Sequence, residues 1–357
     1  MCENMKRYNF SKVELHCHLD GCFRTGTILE LARNRNIKLP TYDEKEIQQY
    51  INVKKRCSLK ECLSQFFNFL PTFAGDADAI SRIAKEAVED RAKDGVTYVE
   101  LRYSPHILAN CDVDPLLFAK ERGRLRPKDV VEVINKAVRE SGEKHQIKVR
   151  TILCTIAEYS HWGIETAHLC QEYANEGTVG FDVADIEGME NHLKDNMEIF
   201  QFCKKNGIHT TVHAGEGGPA AEVHLAIEKL HSDRIGHGYR VLEDESIYEI
   251  AKTKGIHFEV CPISSFSTAS VTEDWHKHPA KRFFHDGVNF GLNTDDPGVF
   301  QSTLMDEYDI ATRYWGMTTK DLHTLNINAA KSCFLDGAEK YELVQNLEKE
   351  YQNFNTE

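Results

Sequence analysis

Along this chain of 357 residues, short stretches in which apolar and polar residues alternate take turns with longer stretches in which apolar residues recur every three or four positions. The first kind predicts strands. They are KVELHCH (12–18), VTYVELRYS (96–104), KVRTILCTI (148–156), TVGFDVADI (178–186), IHTTVHAGE (208–216), RIGHG (234–238), IHFEVCP (256–262) and VNFGLNTDD (288–296). The second kind predicts helices between them. In ADAISRIAKEAVEDRAKDG, for example, Ile80, Ile83, Ala84, Ala87 and Val88 make one apolar stripe and Gly95 supplies a stop. PAAEVHLAIEKLHSD has the same spacing, residues 25–75 read as an extra helical excursion after the first strand, and residues 302–350 read as terminal helices.

Eight strands alternating with helices predict a parallel sheet with right-handed crossovers, closed into a (β/α)₈ TIM barrel of the α/β class. An open doubly wound sheet is the rival. It calls for a glycine-rich phosphate loop after the first strand, where this chain has His16 and His18. No linker or low-complexity tract interrupts residues 11–335, so residues 1–357 are read as one barrel domain.

Composition narrows the function classes. With 41% apolar and 28% charged residues the chain reads as soluble and globular, and its net charge of −13 argues against a nucleic-acid backbone as partner. The N-terminal MCENMKRYNFSK has no apolar leader, and no run of about 18 apolar residues suggests a membrane span. The expected address is the cytosol. Eleven cysteines without a C-x-x-C pair fit reduced, mostly buried thiols better than a disulfide framework.

In a barrel of this kind, chemistry collects at the C-terminal ends of the strands. HCHLDG, VHAGEG, IGHGY and NTDDPG fall at four of those ends. Residues two apart in a strand share a face, so His16 and His18 point one way and Cys17 the other. Each element alone has an ordinary explanation. A single strand histidine such as His213 or His237 is usually a hydrogen-bonded structural residue, Asp295 and Asp296 before Pro297 could form a turn and a helix cap, and Glu216 could sit in a solvated loop. Four such sites at four strand ends are harder to explain as independent accidents.

Together they suit a hydrolytic metal site, in which a few N/O ligands leave one position for a water whose pKa falls from 15.7 to about 7. His16, His18, His213 and Asp295 are the candidate ligands. Asp296 is then free to bond the water or the substrate, His237 to orient the water or help take its proton, and Glu216 to donate a proton if burial lifts its pKa. No H-E-x-x-H motif is present, and no H-x-E motif with a later P-C-x-x-C.

At KVELHCHLDG, GVTYVELRYSPH, TVHAGE, RIGHGY, HFEVCPISS, GLNTDDPGVFQSTL and LNINAAKSCF the chain resembles the adenosine deaminase family of metal-dependent amidohydrolases. The resemblance spans Lys12 to Phe334. It implies one Zn²⁺ per chain on His16, His18, His213 and Asp295, and hydrolysis of the 6-amino group of adenosine and 2′-deoxyadenosine to give inosine or 2′-deoxyinosine and ammonia. It also implies that Glu216 protonates purine N1, His237 positions and helps activate the water, and Asp296 partners the water and N7. Substrate contacts implied are His18, Asp20 at the ribose 5′-hydroxyl, the apolar Leu59 and Phe66, and a backbone N–H at position 185 toward purine N3. There the chain departs from the family, with Asp185 at the usual glycine and Cys62 where an aromatic residue is common.

Two other functions fit parts of this pattern. A deaminase of AMP or N6-modified AMP would use the same barrel. Asp20 speaks against it by repelling a 5′-phosphate, while nearby Arg24 keeps it open. A binding or signalling protein that had lost turnover could dispense with Glu216 or a ligand, and all are present. The expected partner is a small purine nucleoside, with no nucleic acid and no membrane; the oligomeric state stays open, a monomer being plausible.

Overall fold

A computed structural model describes residues 8–184 and 193–354. Eight parallel strands follow one another in sequence order: Lys12–His18 (β1), Val96–Tyr103 (β2), Lys148–Ile156 (β3), Thr178–Ala184 (β4), His209–Ala214 (β5), Arg234–His237 (β6), His257–Val260 (β7) and Phe290–Leu292 (β8). Helices pack around them, and the architecture is a (β/α)₈ barrel. The stripe of Ile80, Ile83, Ala84, Ala87 and Val88 is buried on the helix Ala77–Lys93, which Asp76 caps by accepting from the Ala79 N–H at 2.9 Å. Gly95 ends it at φ +77°.

The seam between β1 and β8 is irregular, and it shapes the site. The predicted strand 288–296 stays regular for only three residues. Beyond them the Asn293 side chain takes over, its Oδ1 accepting from the Leu15 and His16 backbone N–H groups at 2.8 and 3.1 Å. One bridge, Cys17 with Asp295, then closes the barrel. In it His18 N donates to Asp295 O at 2.7 Å and Asp295 N donates to His16 O at 3.1 Å. Backbone of three candidate ligands therefore joins the first strand to the last.

β1 itself shifts register against β2 between Glu14 and Cys17. The shift lets Glu14 meet Arg91 of the Ala77–Lys93 helix (3.3 Å) while His16 and His18 both face the barrel axis.

Elsewhere the structure adjusts the sequence reading. PAAEVHLAIEKLHSD is α-helical over Ala220–Leu225 and then widens into a π-turn, Ala226–Leu230, that keeps Ala226, Ile227 and Leu230 buried. The excursion after β1 contains the short helices Thr25–Asn34, Glu44–Ile51, Leu59–Ser64 and Phe66–Phe69. Leu304–Trp315, Thr319–Ser332 and Gly337–Phe354 are the terminal helices. All described cysteines are free, and only Cys57 and Cys111 among them are not buried. No helix among the described residues is long and apolar enough to cross a membrane.

Candidate active site

Between the C-terminal strand ends and the excursion lies a cavity of about 400 Å³. Its polar end holds His18, Asp20, His213, Glu216, His237, Asp295 and Asp296, and its apolar wall includes Leu59, Cys62 and Phe66. His16 lies just beneath, fully buried. Every site residue named from the sequence is thus in one place except Asp185, which lies outside the described residues. Arg24 does not join them. Its guanidinium pairs with Asp90 at 2.5 Å and Glu89 at 3.0 Å on a neighbouring helix, which removes the feature that had kept a phosphorylated substrate open.

Carboxylates beneath the cavity orient two of the imidazoles. Glu259 on β7 accepts from His16 Nδ1 at 2.8 Å, and Asp182 on β4 accepts from His213 Nδ1 at 3.2 Å. Arg102 on β2 bridges these carboxylates, at 2.7 Å to Glu259 and 3.0 Å to Asp182, and Arg234 on β6 reaches Glu259 at 2.7 Å. Burial works against the Glu259 charge, but Arg102, Arg234 and His16 hold its carboxyl well below the usual range. With a proton fixed on each Nδ1, the Nε2 lone pairs of His16 and His213 face upward.

Those lone pairs converge. His16 Nε2 is buried without a hydrogen-bond partner and lies 3.2 Å from Asp295 Oδ1. His18 Nε2 is 3.1 Å from His213 Nε2 and 3.5 Å from Asp295 Oδ1. Two ligands at ~2.0–2.1 Å from one tetrahedral ion sit roughly 3.3 Å apart, so this spacing suits a shared divalent cation. The local field agrees. Burial lowers the His18 pKa, yet Asp296, Asp20 and Asp295 outweigh it and raise the group to about 10. The donor set of three imidazoles and one carboxylate fits a hydrolytic metal.

Around that point the acid/base candidates divide by environment. Burial and the Asp295 charge push the Glu216 carboxyl up to about 8, so it holds a proton near neutrality. Burial and the Asp295 charge likewise hold Asp296 well above the carboxylate range. Burial keeps His237 neutral, with Nε2 at 3.5 Å from Glu216 and Nδ1 unpartnered. Asp20 is buried with Oδ1 unpartnered, and its Oδ2 accepts from Ser104 N at 3.4 Å. Position 21 must be glycine, because a Cβ there would stand 1.9 Å from Asp296 Oδ1 and 2.7 Å from its Cβ.

Sequence reading missed the oriented layer of Glu259, Asp182, Arg102 and Arg234, together with Ser264, whose Oγ donates to Asp295 Oδ2 at 2.6 Å. A signal was there. Glu100, Arg102, Asp182 and Glu259 stand inside strand runs that are mostly apolar and mostly buried, and a buried mid-strand charge needs a partner.

Comparison with known proteins points the same way. Residues 11–350 match the family model described as Adenosine deaminase. Over 347 residues, 97% of each chain, the sequence is 43% identical to an adenosine deaminase of Xenopus tropicalis. An arabidopsis N6-mAMP deaminase superposes with a TM-score of 0.82 at 25% identity, covering 96% of this chain and 99% of that one. A cog1816 amidohydrolase from Burkhoderia ambifaria, solved with bound Zn, superposes at 0.83 with 21% identity over 99% and 95% of the two chains.

Proposed function

The chain belongs to the adenosine deaminase family and is a hydrolase that deaminates adenosine; from that premise we propose how its own residues divide the work, with zinc as the metal and 2′-deoxyadenosine as a second substrate. The observation that carries this reading is the close approach of His18 Nε2 to His213 Nε2 and of His16 and His18 Nε2 to Asp295 Oδ1, beside a buried Glu216. Zinc held there supplies Lewis-acid polarisation of a water and draws its pKa toward neutrality.

The remaining chemistry belongs to side chains. Adding water to purine C6 costs ring aromaticity unless the negative charge that builds on the ring nitrogen is quenched. Glu216 supplies that proton to N1. General acid help of this kind is worth roughly 10²–10⁴ in rate. His237, kept neutral by burial, orients the water and accepts its proton. Asp296 bonds the water and purine N7. Ammonia leaves from C6 and inosine remains, the atoms of adenosine and water being conserved.

Asp20 is the acceptor for the ribose 5′-hydroxyl, and Leu59 and Phe66 exclude water from the purine. A buried carboxylate at that end disfavours a 5′-phosphate, and Arg24 is committed to Asp90 and Glu89. Asp185, outside the described residues, remains the candidate whose backbone N–H meets purine N3. We place the enzyme in the cytosol, as a single barrel domain acting on a nucleoside.

Ammonia release from adenosine, 2′-deoxyadenosine, AMP and N6-methyl-AMP, measured beside zinc content per chain, tests the reading. Near-stoichiometric zinc with both nucleosides far above both nucleotides is expected. A chain that prefers a nucleotide, or that turns over adenosine without bound metal, overturns it.

A further inference from the structure

The one-turn helix after β7, Pro262–Ser267, and the residues that follow it carry hydroxyl groups that the reaction as described does not use. Ser264 is fully buried, and its Oγ donates to Asp295 Oδ2 at 2.6 Å. Asp295 is thereby left with only Oδ1 facing His16 and His18, at 3.2 and 3.5 Å. A few residues on, Thr268 Oγ1 lies 2.8 Å from Ser270 Oγ, and Ser270 Oγ lies 3.5 Å from Glu216 Oε1. The segment holding a candidate ligand thus also touches the candidate acid.

That segment is fastened from several sides. Ile263 N donates to the buried Glu307 carboxyl at 2.9 Å, Ser265 Oγ meets His278 Nε2 at 3.0 Å, and Cys57 N donates to Ser267 O at 2.9 Å. Arg56 lies over the Phe266 ring at 5.3 Å and donates to the Val271 carbonyl. Rigid fastening is what a positioning element requires, since a hydroxyl held by packing directs its partner without the entropy cost of being ordered itself.

We infer that residues 264–270 form a two-ended positioning element, in which Ser264 sets which oxygen of Asp295 faces the metal and the Thr268–Ser270 hydroxyl pair sets the orientation of Glu216. The inference rests on the proposed roles of Asp295 and Glu216. A hydrogen bond to one carboxylate oxygen favours monodentate presentation of the other, and partners of this kind typically change metal affinity or activity about 10–100-fold. The other end acts on the acid. A carboxyl that must deliver its proton in one direction loses rate when it can rotate, with little change in how substrate binds.

Three variants separate the ends. Ser264→Ala, dialysed against a weak chelator, is expected to lose zinc at least 10-fold faster than the parent chain, and added Zn²⁺ is expected to restore most of its turnover. Thr268→Val is expected to keep full zinc content and the parent KM while kcat drops about 10-fold, with no rescue by added Zn²⁺. Ser265→Ala, on the same turn and equally buried but bonded away from Asp295, is expected to keep zinc like the parent. The inference is overturned if Ser264→Ala retains zinc as the parent does, or if all three variants lose zinc alike, which would mark the turn as merely structural. Should Ser264→Ala prove insoluble, Ser264→Cys, of similar size with a weaker donor, is read in the same assay by the same criteria. Parent turnover and zinc content, measured alongside, test the underlying site, so failure of that reading is distinguishable from failure of the positioning role.

Discussion

Two layers of buried charge lie one above the other in this barrel, and they differ in how their charges are met. In the lower layer acids and bases are paired across strands: Glu259 with Arg102 and Arg234, Asp182 with Arg102, and Glu100 with Arg234. In the upper layer His16 Nε2, His237 Nδ1, Asp20 Oδ1 and Asp296 Oδ1 are buried with no hydrogen-bond partner. Burial is similar in both. Arg102 Nε, Arg234 Nη2 and Glu100 Oε2 of the lower layer also lack a hydrogen bond, so what separates the layers is how tightly opposite charges meet, at 2.6–3.0 Å below and 3.2–4.0 Å above. Size does not identify the site either. A larger cavity, about 780 Å³, opens at the N-terminal end of the barrel, but its Lys148 and Arg150 are both paired with Glu339.

The contrast predicts different failures for the two layers. Removing the proton from the upper layer should have the largest effect. Glu216→Gln is expected to keep its bound metal and its fold while kcat falls by about 10²–10⁴; parent-like turnover in a fully metallated variant would take Glu216 out of the acid role. A change in the lower layer should act first on stability. Arg102→Met leaves Glu259 and Asp182 facing each other without their shared cation, at an expected loss of about 3–5 kcal/mol in urea unfolding, because one partner of a buried pair has gone. A loss under about 1 kcal/mol would mean that the layer is not held by that pairing. Outside both layers little should happen. Arg24→Ala cuts a half-exposed surface pair and is expected to cost no more than about 1 kcal/mol, with the ratio of adenosine to AMP turnover unchanged; a shift in that ratio would return Arg24 to the substrate site.

The upper layer is read from the sequence, whereas the lower one leaves only a weaker sign, charges inside mostly apolar strand runs. His16, His18, His213, His237 and the Asp295–Asp296 pair stand out jointly, because four such sites at four strand ends are hard to explain as independent accidents, and period-two alternation places His16 and His18 on one face. Glu259 and Arg102 look like routine polar positions in a strand until the barrel shows that they face inward. Only closure of the sheet reveals which strands are opposite each other. Ser264 was hidden for another reason: nothing local in CPISS says that its hydroxyl meets a carboxylate 31 positions later. The boundaries of β8 misled because a side-chain amide, that of Asn293, supplies bonds that a backbone ladder would otherwise make.

The seam between the first and last strands has a consequence for how the molecule comes into being. Asp295 leaves the ribosome long after His16 and His18, yet the backbone bonds linking them are what shut the barrel. A nascent chain cannot assemble the finished site before Asp295 has been translated. Readiness to take up a metal therefore waits on the last strand of the barrel.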